Sequence, residues 1–198
     1  MENINYALFL RLNAPEQASH LSLLLATVFA EWLIWIVPVL IGWNWLRGSE
    51  TSRKAMLLAT ASGVLALGIN QLIGLLWMHP RPFMIGLGHT FIPHAADSSF
   101  PSDHLSLWWA VAFSFVLQSG WRNTGTILAL LGLPVAWARI YLGVHFPFDM
   151  LGAAVVAALS AWLTLRAAAW YLPVVYRFAY ATHQMLFGAL IRRGWVSE

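Results

Sequence analysis

The sequence predicts an all-α protein, a polytopic membrane helix bundle with about five to six transmembrane helices, forming a single domain over residues 1–198. Three observations carry that expectation. The chain is 60% hydrophobic and only 10% charged, with a mean hydropathy of +0.67, far from a soluble globular balance. Its apolar runs reach the length of about 20 residues that a helix needs to cross hydrocarbon. The charges fall mostly between those runs, and the 12 Trp and 5 Tyr are the residue types that anchor helices at membrane interfaces.

Taken in order, residues 1–20 mix Tyr6, Leu8, Phe9 and Leu12 with Asn5, Arg11 and Asn13, the pattern of a short helix lying in the interface. The N-terminus has no basic segment and no small-residue cleavage pattern, so no removable signal peptide is expected. A first span is predicted over Leu21–Leu46, interrupted by Glu31 and Pro38, and Arg47–Lys54 forms a polar loop. The second span, Ala55–Trp77, is rich in the small residues that let helices approach closely. His79-Pro80-Arg81-Pro82 ends it, because each proline lacks a donor and forces extended backbone before it.

Residues 83–100 read as the long non-helical segment, of a length that usually carries function. A third span is predicted over Asp103–Gln118, a turn at Gly120–Thr124, a fourth span ending near Tyr141, and a fifth over Pro147–Arg166. Ala167–Arg193 is expected to form an amphipathic helix on the cytoplasmic surface, with a sixth span as the alternative. Arg47, Arg53, Lys54, Arg122 and Arg166 fall on one side, which the positive-inside rule assigns to the cytoplasm. The N-terminus is then outside and the C-terminus inside.

The formal net charge of +3 comes with a single lysine and no basic run, so no nucleic-acid partner is expected. There are no cysteines, which removes disulfides and thiolate metal sites. His79, His89 and His94 with Asp97 match no standard zinc spacing, and no metal is expected there.

Three polar clusters interrupt the apolar pattern, all on the predicted outer face: His79–Pro82, Pro101–His104 and Arg139–Asp149. Ser102 stands where a third-span N-cap belongs, and the unpaired N–H groups of such a helix start attract phosphate. His104, in the first turn of that helix, has the side chain best suited to proton transfer near neutral pH. Asp149 follows His145 by four residues, close enough to hold one imidazole tautomer and leave the other nitrogen free to attack. Arg81 and Arg139 are costly near a membrane without anionic partners, and guanidinium matches phosphate oxygens in a bidentate fork. For each residue alone a bland role as cap, core polar group or structural ion pair is available, and their joint occurrence in one plane favours phosphoryl transfer.

These motifs resemble the type 2 phosphatidic acid phosphatase superfamily, with its pattern Lys-x6-Arg-Pro, Pro-Ser-Gly-His and Ser-Arg-x5-His-x3-Asp. The third motif matches at Arg139, His145 and Asp149, with Ala138 replacing the serine; the second matches at Pro101, Ser102 and His104, with Asp103 replacing glycine; the first matches only at Arg81-Pro82, with Gly74 at the lysine position. The run His94–His104 is similar to the bacterial undecaprenyl-diphosphatase branch associated with bacitracin resistance. The resemblance, carried by residues of about 70–152, implies that His145 attacks phosphorus, Asp149 orients it, His104 protonates the leaving group and activates water, and Arg81, Ser102 and Arg139 hold the transferred group. It implies no metal or other cofactor, an isoprenoid diphosphate as substrate, and an inner-membrane location with the site facing the periplasm or cell exterior.

Two residues stand apart. Asp103 is expected to be held by Arg81 or to position His104 beside the substrate, and Glu31, inside the first span, to line the lipid-binding cleft or be satisfied by Asn70 or Gln71. The alternatives to the diphosphatase reading are a phosphatase for phosphatidic acid or phosphatidylglycerol phosphate, and a lipid-phosphate binder without catalysis. A binder needs the arginines but not an oriented nucleophile, so His145 with Asp149 favours the enzyme.

Overall fold

A computed structural model describes residues 2–197, and within them every regular element is helical. Helices α1 (Glu2–Leu12), α2 (His20–Thr27), α3 (Ile36–Arg47), α4 (Glu50–Leu76), α5 (Asp103–Val116), α6 (Arg122–Tyr141) and α7 (Pro147–Arg192) follow one another along the chain. Four helical stretches are long and apolar enough to cross a membrane: 20–47, 50–76, 119–141 and 147–192. Large apolar side chains such as Val39, Leu76, Leu130 and Trp170 point outward from the bundle, the arrangement expected where lipid rather than water surrounds the protein.

The 14-residue α5 is the centre of the bundle, packed by α4, α6 and α7. It is too short to span alone but has the length of a buried core helix. Small residues bring its neighbours close. Any Cβ at Gly132 would meet the Trp109 ring and any at Gly125 would meet the α5 backbone. Trp108 and Trp109 donate from Nε1 to the carbonyls of Leu128 (2.6 Å) and Ala129 (3.1 Å) on α6. On the other side, the Ser62 and Thr164 hydroxyls pair at 2.6 Å between α4 and α7.

Three expectations about elements change. The first span is not one continuous α-helix, since Val28–Trp32 forms a π-helical turn and Leu33–Trp35 a 3-10 turn between α2 and α3. Glu31 lies in the π turn, a distortion often found at functional sites. The polar loop at 47–54 shrinks to a short link, because Ser49 caps α4 by accepting the Ser52 N–H (3.3 Å).

No break occurs at Arg166, and α7 runs unbroken for 46 residues. Ala167, Ala168 and Ala169 supply the best helix formers at the expected boundary, and Pro173 is carried inside the helix. At about 69 Å, α7 exceeds the roughly 40–45 Å of a bilayer with its headgroups. Beyond α7 the chain turns back, with Trp195 accepting from Arg47 Nη1 at 2.7 Å and the Ser197 N–H donating to Leu46 O at 2.9 Å. A sixth crossing would carry this end to the face where α1 lies. It sits instead beside the α3–α4 link, on the face opposite α1.

Candidate active site

The polar clusters meet at one end of the bundle. Arg81 stands in extended backbone just past α4, as a residue before proline must. Arg139 occupies the last turn of α6 and is 2% exposed. His145 lies in the link between α6 and α7, and Asp149 in the first turn of α7. Ser102 caps α5 with its backbone while its hydroxyl makes no capping bond.

Asp149 Oδ2 gathers three donors. It accepts from the Phe146 N–H (2.7 Å), from His145 Nδ1 (3.1 Å) and from the Ser99 hydroxyl. The carboxylate therefore fixes the imidazole with its proton on Nδ1. Nε2 is then an acceptor, and it takes a hydrogen bond from Arg81 Nη1 at 3.1 Å. Burial, then the positive fields of Arg139 and Arg81, hold His145 well below the ordinary imidazole pKa. A neutral ring with an outward lone pair results.

Arg81 is further fixed by Asp97 at Nε (2.8 Å), Val144 O at Nη1 (2.9 Å) and Ser98 O at Nη2 (3.2 Å). Arg139 donates from Nη1 to Ala30 O (3.3 Å) and from Nη2 to His94 Nε2 (2.9 Å). Two buried donors have no protein partner, Arg139 Nε and Ser102 Oγ. Buried polar atoms are rarely left unpaired, and each of these is a donor free to take a phosphate oxygen. His104 is half-buried in α5 and lies within the electrostatic reach of Arg139, His94 and Arg81.

Asp103 is placed differently from expectation. It is not held by Arg81, whose Nε is taken by Asp97; the α4 amides hold it instead, with Asn70 Nδ2 at 2.8 Å and Gln71 Nε2 at 3.3 Å. Those same bonds remove Asn70 and Gln71 as partners for Glu31. Glu31 is exposed beside the site, one residue from the Ala30 carbonyl that holds Arg139, and its charge is felt by that arginine. Gly74, at the position of the superfamily lysine, opens into a cleft of about 270 Å³ shared with Asn70, Gln71, Asp97 and Asp103. The missing cation is thus replaced by amides and carboxylates.

Several residues were given no role in the site by the sequence, His94 having been weighed only as a metal ligand. His94 reaches Arg139, and its ring centroid lies 6.0 Å from that of His145. Ser99 completes the set of donors on Asp149 Oδ2. Asn5, 1% exposed, accepts the Phe148 N–H through Oδ1 at 3.1 Å and so fixes the first turn of α7. From the same helix α1, Tyr6 and Phe9 pack on Phe146, which separates His145 from Pro147. The density of polar residues in 94–104 pointed to that segment, whereas nothing local marks Asn5. His79 and His89 stand apart from His94, His79 near Glu2 at 3.6 Å and His89 bound through its backbone to Asn13.

A helical membrane bundle with an oriented histidine facing two buried guanidiniums defines a class, the membrane-embedded phosphatases that act on lipid phosphates. The chain belongs to the PAP2 superfamily, which matches residues 54–186. It is 34% identical over 203 aligned positions, covering 100% of both chains, to YbjG of Escherichia coli (strain K12), which carries the undecaprenyl-diphosphatase name provisionally. It is 43% identical to the undecaprenyl-diphosphatase BcrC of Bacillus subtilis (strain 168) over 122 residues, 62% of each chain. The crystal structure of Aquifex aeolicus LpxE shares the fold, with a TM-score of 0.68 at 22% identity over 82% of this chain and 95% of the other.

Proposed function

We propose that this chain hydrolyses undecaprenyl diphosphate to undecaprenyl phosphate and inorganic phosphate at the outer face of the bacterial inner membrane, recycling the lipid carrier of cell-wall synthesis. The observation that carries the reading is the line Asp149–His145–Arg81, in which a buried carboxylate fixes the tautomer whose Nε2 faces the phosphate-binding guanidinium. A protein that only binds lipid phosphates has no use for that alignment. The relatives' names supply the isoprenoid diphosphate.

In this mechanism the terminal phosphoryl group settles between Arg139 Nε and Ser102 Oγ, and Arg81 Nη1 moves from His145 Nε2 to a phosphoryl oxygen. The freed lone pair attacks phosphorus as the bridging P–O bond breaks, giving a phosphohistidine. Arg81 and Arg139 offset the charge on the equatorial oxygens, while Asp149 stabilises the cationic ring. Burial and the charge of Arg139 hold the His104 pKa down to about 3 without substrate. The anionic diphosphate offsets that field, and His104 takes up a proton from solvent as it binds, gives it to the departing lipid monophosphate, then takes one from water as that water attacks the P–N bond. Inorganic phosphate leaves and His145 is regenerated. The outer location is supported by charge. The basic residues Arg47, Arg53 and Lys54 cluster at the end of the bundle away from His145, where the positive-inside rule puts the cytoplasm.

The test is phosphate release from undecaprenyl diphosphate by detergent-purified protein, with and without chelator, beside phosphatidic acid and a His145→Ala control. Chelator-insensitive release from the isoprenoid diphosphate, lost in the variant, is expected. Equal or faster release from phosphatidic acid would move the function to a broader lipid phosphatase, and an active His145→Ala protein would remove the nucleophile assignment.

A further inference from the structure

His94 has no part in that mechanism, yet it stands inside the site. Arg139 Nη2 donates to its Nε2 at 2.9 Å, and its ring lies edge-on to that of His145 with centroids 6.0 Å apart. Its Nδ1 faces the Ala95 carbonyl at 3.2 Å and Asp97 at 4.0 Å. The side chain is 19% exposed and that of Asp97 61%, against 2% for His145. The site therefore runs from buried to exposed, with Arg139 Nε and Ser102 Oγ buried and unpartnered and His94 on the exposed side, its mouth.

That order bears on a two-phosphate ligand. The transferred phosphoryl group must be the deeper one, because it has to touch His145 Nε2. Its leaving oxygen then points away from His145, which carries the second phosphate outward towards the mouth. His104 serves the bridging oxygen, and the non-bridging oxygens of the second phosphate are left to whatever lines the rim. Asp97 is an anion and repels them. His94 stands at that rim and becomes a cationic donor on protonation.

We propose that His94 is the specificity-determining residue for the second phosphate, binding the leaving half of an isoprenoid diphosphate as an imidazolium. This rests on the reading of the chain as a diphosphate phosphatase. Without substrate, burial and the charges of Arg81 and Arg139 hold the His94 pKa below its ordinary value. The arriving diphosphate reverses that balance. Arg139 turns Nη2 to a phosphoryl oxygen and releases His94 Nε2, which takes a proton from solvent and donates to the second phosphate. A monophosphate ester presents no such group.

The experiment uses the full-length protein in detergent with farnesyl diphosphate and farnesyl monophosphate, which share a tail and differ by one phosphate. In His94→Ala the ratio of kcat/KM for diphosphate over monophosphate is expected to fall about 10- to 100-fold, the range for losing one hydrogen bond between charged partners. Residual monophosphate turnover reports that the variant is folded. His94→Lys, which keeps a cation, is expected to restore part of the ratio. A fall smaller than about fivefold, an unchanged ratio with both activities reduced, or a rise of both activities as if a plug had been removed from Arg139 would each overturn the proposal. If the parent protein releases no phosphate from the diphosphate, the functional reading falls and this inference with it. If the parent does so and the ratio holds, only the role of His94 fails.

Discussion

Asp149→Asn separates two roles that the carboxylate plays. Three donors converge on Oδ2, the Phe146 N–H, the Ser99 hydroxyl and His145 Nδ1. An asparagine can satisfy them only with its oxygen in that position, because the reverse orientation sets an amide N–H against all three. The imidazole thus keeps its tautomer and orientation, and what is lost is the negative charge 3.1 Å from Nδ1. In the proposed mechanism the ring becomes cationic as Nε2 attacks phosphorus. An opposite charge about 4 Å away at an effective dielectric of about 20 contributes roughly 4 kcal/mol. Losing it lowers kcat by about 10³-fold, at about 1.4 kcal/mol per tenfold. Asp149→Ala removes the acceptor as well and should lower kcat further, by about 10⁴-fold. Phosphate release from farnesyl diphosphate under saturating substrate measures both, and KM should move far less than kcat. An Asp149→Asn enzyme within about tenfold of the parent would refute the assignment of charge stabilisation to this carboxylate.

Three other outcomes follow from the same geometry. Gly143 has φ +82°, and a Cβ there would collide with the His89 carbonyl oxygen. Gly143→Ala is therefore expected to destabilise the protein by about 3 kcal/mol or more, read as a drop of about 5–10 °C in thermal midpoint; an unchanged midpoint would remove the close approach of the two loops. His94 and His145 are both held below the ordinary imidazole value by burial and the two arginines. The unfolded chain takes up protons near about pH 6.5 that the folded protein does not, so stability is full above that pH and falls as the pH drops through it. Thermal midpoints should decline from pH 7.5 to 5.5, and His145→Gln should flatten the decline; an equal slope in that variant would show that His145 is not among the groups responsible. Asn5→Ala leaves the Phe148 N–H without its acceptor and loosens the start of α7. We expect kcat to fall by about tenfold, consistent with one lost buried hydrogen bond, with little change in KM; a tenfold rise in KM at constant kcat would instead place Asn5 on the substrate path.

Some of this was readable in the sequence. His145 and Asp149 stand four apart across a proline, and that local spacing is enough to bring ring and carboxylate together. The bundle was readable because apolar runs of span length report the solvent around them. The end of the first span near Leu46 and the start of the fifth span at Pro147 follow from local chemistry. The boundary expected at Arg166 failed because a charge does not stop a helix when three alanines follow it. The partner of Asp103 was misjudged because Asn70 and Gln71 lie more than thirty residues away, and only the α4–α5 packing reveals them. The roles of His94 and Asn5 were missed for a similar reason. Each matters through one contact with a residue distant in the chain, Arg139 and Phe148 respectively, and such contacts leave no periodic trace.

The placement of α1 also has a consequence for biogenesis. Asn5 meets Phe148 across 143 residues, and Asn13 meets the Tyr141 carbonyl across 128. These partners leave the ribosome long after α1 has been made, and α1 has to wait at the membrane surface until the start of α7 arrives. The His145 loop between them acquires its final shape only then. Competence for hydrolysis is therefore among the last properties the nascent chain gains, and a chain arrested before α7 holds both arginines and His104 but has no assembled centre.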